Sequence, residues 1–353
     1  MALTSSSRMT GRERLLAAVR SETVDATPVW FMRQAGRCLE GYRRLREQYD
    51  ILTLTRTPDL CAEVTLMPVA ELGVDAAVMY ADIMLPLVGM GVPFTIDPGV
   101  GPIIASPLRT AADIDALRIV AAEEATPELF EAIRLVRRSL DGRAALVGFA
   151  GAPFTVASYL IEGRPTKDFS RCKELMYAEP RLWHRLMATL TEVTVRYLRA
   201  QVAAGAEVLQ LFDSWAGALS RSAYAEHVLP YSAEILTALA TDGVPTIHFG
   251  TNTSHLLELM ATAGSDVISV DWRLPLDEAW QRIGAARGIQ GNLDPAILLA
   301  PFSVVEEHAK VVLARAGGRA GHIFNLGHGV IAETPTDTLR SLVDLVHTET
   351  ASR

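Results

Sequence analysis

Apolar and β-branched runs of five or six residues recur along the whole chain, most of them ending at or just before a Gly, Asp, Asn or Ser. The runs predict strands at residues 28–32, 76–80, 145–150, 207–212, 245–249, 267–271, 288–292 and 322–327. The segments between them place apolar residues three and four apart. They predict helices at about 57–72, 126–140, 168–204, 218–241, 253–263, 276–286, 301–316 and 335–348. Thr57-Pro58, Thr126-Pro127 and Thr334-Pro335 each look like a capping residue ahead of a proline in the first helical turn.

Eight strand–helix units in succession predict an α/β chain folded as a single (β/α)8 barrel of the TIM type, one domain covering residues 1–353. An open doubly wound sheet is the rival architecture. Its usual Gly-rich phosphate turn after the first strand is missing, because Arg33-Gln34-Ala35-Gly36-Arg37 stands there. Residues 81–120 carry Gly89, Gly91, Pro93, Pro98, Gly99, Gly101 and Pro102 and predict a long loop with a short hairpin. Such extra loops on a barrel usually roof the catalytic face.

Composition narrows the function classes. At 49% hydrophobic residues a core is readily built, yet no run approaches the eighteen apolar residues of a membrane span. Met1 to Gly11 is Ser/Thr-rich without the apolar core of a secretion signal, so a cytoplasmic location is expected. Cys38, Cys61 and Cys172 are too few and scattered for a disulfide framework, and no C-x-x-C is present. A net charge of -8 argues against a nucleic-acid partner. Of 33 basic residues only Lys167, Lys173 and Lys310 are lysines, a bias whose plain explanation is the codon usage of the source genome.

In a barrel of this kind the reactive groups come from the carboxyl ends of the strands and the turns beyond them. Arg33 and Arg37 follow the first strand, Asp82 the second, and Gly151-Ala152-Pro153 with Tyr159 the third. Asp213, Ser214 and Trp215 follow the fourth; His248, Gly250, Asp271, Asn292, Asp294, Asn325 and His328 complete the set. Two guanidinium groups four residues apart suit carboxylates, which they bind as a fork, and Gly36 leaves backbone N–H groups approachable. Each member also has a plainer explanation. An Arg pair can serve surface carboxylates, Asp82 can cap a turn, Tyr159 can be core, and Ser214 can cap the next helix. His328, between Gly327 and Gly329, is the most exposed to use.

Several chemistries lack their parts. The three lysines lie in or beside helical segments away from strand ends, leaving no evident Schiff-base lysine. Neither His-x-x-x-His nor clustered Cys and His is present, so neither metal nor organic cofactor is expected. The G-x-S-x-G elbow of a Ser hydrolase is missing too. What remains is a site of Arg, Asp, Tyr, Ser and His that can bind a polyanion and handle protons.

Pro28-Val29-Trp30-Phe31-Met32-Arg33-Gln34-Ala35-Gly36-Arg37 closely resembles the N-terminal signature of the uroporphyrinogen decarboxylase family. Gly148-Phe149-Ala150-Gly151-Ala152-Pro153-Phe154-Thr155 resembles its second signature, and the likeness runs through Tyr80-Ala81-Asp82-Ile83, Phe212-Asp213-Ser214-Trp215, Gly291-Asn292-Leu293-Asp294-Pro295 and Asn325-Leu326-Gly327-His328-Gly329. The resemblance implies a cofactor-independent carboxy-lyase that removes the four acetate carboxyls of uroporphyrinogen III to give coproporphyrinogen III, and a homodimer. It further implies a substrate-binding stretch of Arg33, Gln34, Ala35, Gly36 and Arg37, with Arg46, Tyr159, Ser214 and His328 as further contacts and Asp82 as the key acid; Asp82, Arg37, Tyr159 and His328 are the expected catalytic set. Two stretches depart from the family pattern: Cys38-Leu39-Glu40-Gly41, where Tyr-Leu-Pro-Glu is usual, and Val330-Ile331-Ala332. Zinc-dependent corrinoid methyltransferases share the fold and are the alternative, but their His-x-Cys pair and later Cys correspond here to His248-Phe249-Gly250 and Leu326-Gly327-His328.

Overall fold

The computed structural model describes residues 8–97 and 99–351, so the sequence-based expectations for Met1–Ser7 and Pro98 lie outside the described residues. Its main sheet is parallel and seven-stranded, built from β1 (Ala76–Val78), β4 (Ala145–Gly151), β5 (Val208–Phe212), β6 (Thr246–Phe249), β7 (Val267–Ser269), β8 (Gly288–Leu293) and β9 (His322–Leu326) in that spatial order. Each strand is added beside its predecessor and the order never reverses. A doubly wound sheet would need such a reversal, and the curled sheet found here has none. Every residue of β1, β6, β7, β8 and β9 is buried, because helices cover the outer face and side chains fill the inner one.

The expected first strand, 28–32, is the exception. It makes one isolated parallel bridge, Val29 to Phe324, in place of a ladder. The N–H of Phe324 donates to the Pro28 carbonyl at 2.9 Å, and the Asp75 N–H to the Val29 carbonyl at 2.8 Å, so the segment lies between β9 and the entry to β1. Of its own donors the Trp30 N–H reaches the Phe324 carbonyl at 3.4 Å, and the others go to side chains: Val29 N–H to Asp75 Oδ2 (2.7 Å), Phe31 N–H to Gln34 Oε1 (2.9 Å) and Met32 N–H to Asn325 Oδ1 (3.0 Å). Side chains consume the bonds that a strand would share with its neighbours, and the sequence pattern cannot show this.

Helices break where prolines demand it. The segment 168–204 divides into Ser170–Ala178 and Pro180–Ala204, and 218–241 into Arg221–His227 and Leu229–Thr241. Thr57 and Thr126 precede their helices as expected, with proline in the first turn, yet neither side chain caps. Their hydroxyls donate backwards to the Thr53 and Ala122 carbonyls, closing the short helices Ile51–Arg56 and Ala122–Ala125 that periodicity did not resolve. Pro335, not Thr334, is the capping position of the last helix, Thr336–Thr350.

The expected hairpin is present as β2 (Phe94–Asp97) and β3 (Gly101–Ile104), paired antiparallel. At the opposite end of the sheet the helix Gly11–Val19 brings Arg14 to Asp75 (Nη1 to Oδ1, 2.5 Å) and to Asp25 (Nε to Oδ1, 2.7 Å), while His347 of the last helix meets Asp75 Oδ2 at 2.8 Å. This knot ties the two ends of the described chain to the entry of β1. Among the described residues no helix is long and apolar enough to cross a membrane.

Candidate active site

A cavity of about 760 Å³ opens at the carboxyl ends of the strands. Arg33, Gln34, Ala35, Arg37, Asp82, Tyr159, Ser214 and His328 all line it, which gathers residues up to 295 positions apart (328 - 33) in one place. Phe149, Phe212 and Phe249, from β4, β5 and β6, supply an apolar wall, and Ile96, Asp97 and Gly101 of the hairpin form its rim. A second cavity of about 720 Å³ lies at the amino ends of the strands, lined by Lys310, Arg319 and His322. Its cations are already engaged, Lys310 with Glu306 and Glu349 and Arg319 over the Trp280 ring at 3.9 Å. The cavity at the carboxyl ends holds the free charge and is the candidate site.

The turn after residue 32 is held in an uncommon shape. Arg33 and Arg37 have φ of 60° and 42°, and Gly36 has φ of 115°. Left-handed backbone costs a non-glycine residue on the order of 1 kcal/mol or more, so the surrounding structure must over-determine it. Gln34 does so: fully buried, it accepts from the Phe31 N–H and donates from Nε2 to the Ala76 carbonyl at 2.7 Å. Gly329 adds the space, since a Cβ there would sit 2.5 Å from Arg33 Cδ. The N–H groups of Ala35, Gly36 and Arg37 have no protein partner among the described residues, and they belong to a turn beside the cavity.

Charge in the site is unpaired. Among the described residues neither Arg33, Arg37 nor Asp82 forms an ion pair; Arg37 Nη1 donates to the Val330 carbonyl at 3.3 Å, and Asp82 Oδ1 accepts from the Met84 N–H at 2.9 Å. Asp82 lines the open cavity and is half-buried. Burial pushes its carboxyl above the usual carboxylate range, against the pull of the Met84 N–H and of Arg33. Burial and the neighbouring Arg33 lower Arg37. His328 is pushed down to about 4, first by burial and then by Arg33 and Arg37, so its ring is neutral at pH 7. The Tyr159 phenol is raised by burial and by Asp82, and stays protonated.

Trp215 stacks on Tyr159 with ring centroids 4.2 Å apart, and Phe169 packs behind Trp215 at 5.0 Å. The sequence suggests Tyr159 but not what holds it. Arg46, expected at the site, lies instead on the helix Glu40–Gln48 outside the cavity wall, its guanidinium on the Tyr49 carbonyl. Two wall residues that sequence reasoning passed over are Tyr42 and Tyr80, whose hydroxyls meet at 3.1 Å. The sequence signals for them are their nearness to Arg37 and Asp82 and, for Tyr80, its place in the stretch Tyr80-Ala81-Asp82-Ile83. Among the described residues, no group of three or more His, Cys, Asp or Glu could hold a metal ion.

Fold and cavity together define a class: α/β proteins on a curled parallel sheet with a polar, arginine-bearing cavity at the strands' carboxyl ends. Residues 10–349 match the uroporphyrinogen decarboxylase (URO-D) family, and the chain belongs to it. The uroporphyrinogen decarboxylase of Sorangium cellulosum is 55% identical over 335 residues, covering 95% of this chain and 96% of that protein. The one from Thermus thermophilus is 51% identical over 332 residues, with 94% and 96% covered. Among solved structures, a methyltransferase from Methanosarcina mazei superposes with a TM-score of 0.84 at 22% identity, covering 97% of this chain and 99% of that one. That likeness shows the shared fold.

Proposed function

We propose that the chain decarboxylates uroporphyrinogen, carrying all four acetates to methyl groups and releasing coproporphyrinogen. Membership of the family and relatives that share half their residues with it over nearly their full length support the activity. The observation that carries the site assignment is the unpaired trio of Arg33, Arg37 and Asp82 in one cavity. The fold is then a (β/α)8 barrel whose eighth position is the short segment 28–32, working as one unit, cytoplasmic and as a homodimer.

The substrate carries eight carboxylates, so its affinity must come from concentrated cationic and N–H donors. Arg33 and Arg37 supply forked pairs, and the free N–H groups of Ala35, Gly36 and Arg37 supply a small anion-binding turn, with Ser214 and His328 as neutral donors. Gln34 shapes this turn from behind. Arg46 adds charge from outside the wall.

Protonation of a pyrrole at ring carbon makes an iminium-like ring conjugated to its acetate. The bond to the carboxyl carbon then breaks, CO2 leaves, and the electron pair passes into the ring. A proton delivered to the resulting methylene makes the methyl group, and loss of the first proton from the ring carbon then restores the pyrrole, so one proton is taken up per CO2 released and the substrate is its own electron sink. Pyrrole N–H groups donating to Asp82 would counter the burial that raises its carboxyl and hold it ionised under the developing positive charge. Such an aimed charge in a dry site is worth about 3–4 kcal/mol. Tyr159, fixed by Trp215, faces the same carboxylate.

Incubation with uroporphyrinogen under reducing conditions, followed by chromatography, should show hepta-, hexa- and pentacarboxylate intermediates on the way to the tetracarboxylate. No loss of carboxyl groups would sink the reading. Arg37→Lys keeps the charge but not the fork, and is expected to raise KM about 10–100-fold; a normal KM would remove Arg37 from the binding set.

A further inference from the structure

Tyr42 and Tyr80 form a pair that none of the assignments above uses. Tyr42 comes from the helix Glu40–Gln48 just past the arginine turn, its ring packed where a Cβ on Gly36 would lie 3.3 Å away. Tyr80 follows β1, two residues before Asp82. Its backbone is fixed on both sides: the Tyr80 N–H donates to Thr65 Oγ1 at 2.9 Å, and its carbonyl accepts from Cys61 Sγ at 3.2 Å. The rings meet edge to face, centroids 5.6 Å apart at 62°, and the hydroxyls lie 3.1 Å apart in the cavity wall.

Hydrogen counting sets what this pair can do. Two hydroxyls bring two hydrogens, and only one can lie on the line between the oxygens. Among the described residues neither hydroxyl has another protein partner, so one O–H is left over beside a cavity that also holds Arg37 and Asp82. Burial raises the Tyr80 phenol well above its ordinary value, so it stays a donor. Being hydrogen-bonded to its neighbour, the accepting hydroxyl cannot turn away, and the cost of orienting it is already met in the free protein. Tyr42 and Arg37 line the same cavity and the phenol is within electrostatic reach of that guanidinium, which puts the pair on the side of the wall where an anion would be held.

We propose that the Tyr42–Tyr80 pair is a further substrate contact, whose spare hydroxyl hydrogen is donated to a side-chain carboxylate of the bound tetrapyrrole beside Arg37. The proposal rests on the site assigned above. The carboxylate is held equally in the ground and transition states, so the contact acts on affinity and not on the chemical step.

Tyr42→Phe, Tyr80→Phe and the double variant test it with uroporphyrinogen as substrate, since each removes one oxygen and keeps the ring. The single variant that removes the donating oxygen should raise KM about tenfold with kcat within about twofold, because a hydrogen bond to a charged group is lost, while the other keeps that hydrogen, loses only its positioning and should raise KM less. The double variant should be no worse than the weaker-binding single, because once the donating oxygen is gone the other has nothing left to position. Thermal midpoints should stay at the wild-type value, a result that a merely structural prop would not give. Unchanged KM in both singles, a fall confined to kcat, or multiplied effects in the double variant would each overturn the pair as a shared donor. Arg37→Lys run alongside separates the failures: if it too leaves KM untouched, the site assignment falls; if it alone raises KM, only the tyrosine contact falls.

Discussion

At the amino ends of the strands Asp75 is closed in by Arg14 at 2.5 Å, His347 at 2.8 Å and the Val29 N–H at 2.7 Å, and is 2% exposed. At the carboxyl ends Asp82, half-buried in the cavity wall, has one backbone N–H and no ion pair among the described residues. Both are carboxylates placed beside β1, one just before it and one just beyond it. The first is satisfied by the protein and holds distant parts of the chain together. The second is left wanting positive charge, and so has something to offer a ligand that develops it. Stability and function are thus separated along one strand by the number of partners each carboxylate is given.

The sharpest break of this comparison is Asp75→Ala, which leaves Arg14 with Asp25 as its one ion-pair partner among the described residues, His347 without its acceptor and the Val29 N–H buried without one. A loss on the order of 3–5 kcal/mol is expected in denaturant unfolding, with turnover per folded molecule nearly unchanged. An unmoved unfolding midpoint would show that the knot is ornamental.

Asp82→Asn should do the reverse, lowering kcat about 100–1000-fold while the protein becomes no less stable at pH 7. The sign follows from its raised carboxyl: ionisation is what the fold resists, so the cost is absent in acid and sets in as pH rises through the folded-state titration. The stability advantage of the Asn variant should therefore shrink as pH is lowered. A variant that loses affinity and rate in equal measure would make Asp82 a holder of substrate and end the electrostatic account.

The smallest effect concerns His328, whose ring titrates at about 4. As pH falls from about 6.5, its unfolded-state value, toward 4, the unfolded chain takes up a proton that the folded one refuses, so stability declines across that window. His328→Gln should soften the decline and leave any pH dependence of kcat above pH 6 in place. An NMR titration of the ring with a midpoint near 6.5 would show that the cavity is wetter and less positive than its geometry implies.

How much of this was legible in the sequence follows from the range of the forces involved. Seven of the eight strands, the hairpin after β1 and the placement of Arg33, Arg37, Asp82, Tyr159, Ser214 and His328 at strand ends were readable, since periodicity and turn chemistry are local and a parallel sheet obliges every strand to point the same way. Only the tertiary structure decided that residues 28–32 spend three of their N–H groups on Asp75, Gln34 and Asn325, leaving a bridge where the apolar run promised a ladder. It also decided that Arg46 lies outside the wall, that Trp215 braces Tyr159, and that two tyrosines 38 residues apart share one hydrogen bond beside Arg37. Each of these turns on which partner a polar or aromatic group meets across the fold, and hydrogen bonds and ring contacts reach only a few ångströms, a distance that no spacing along the chain encodes.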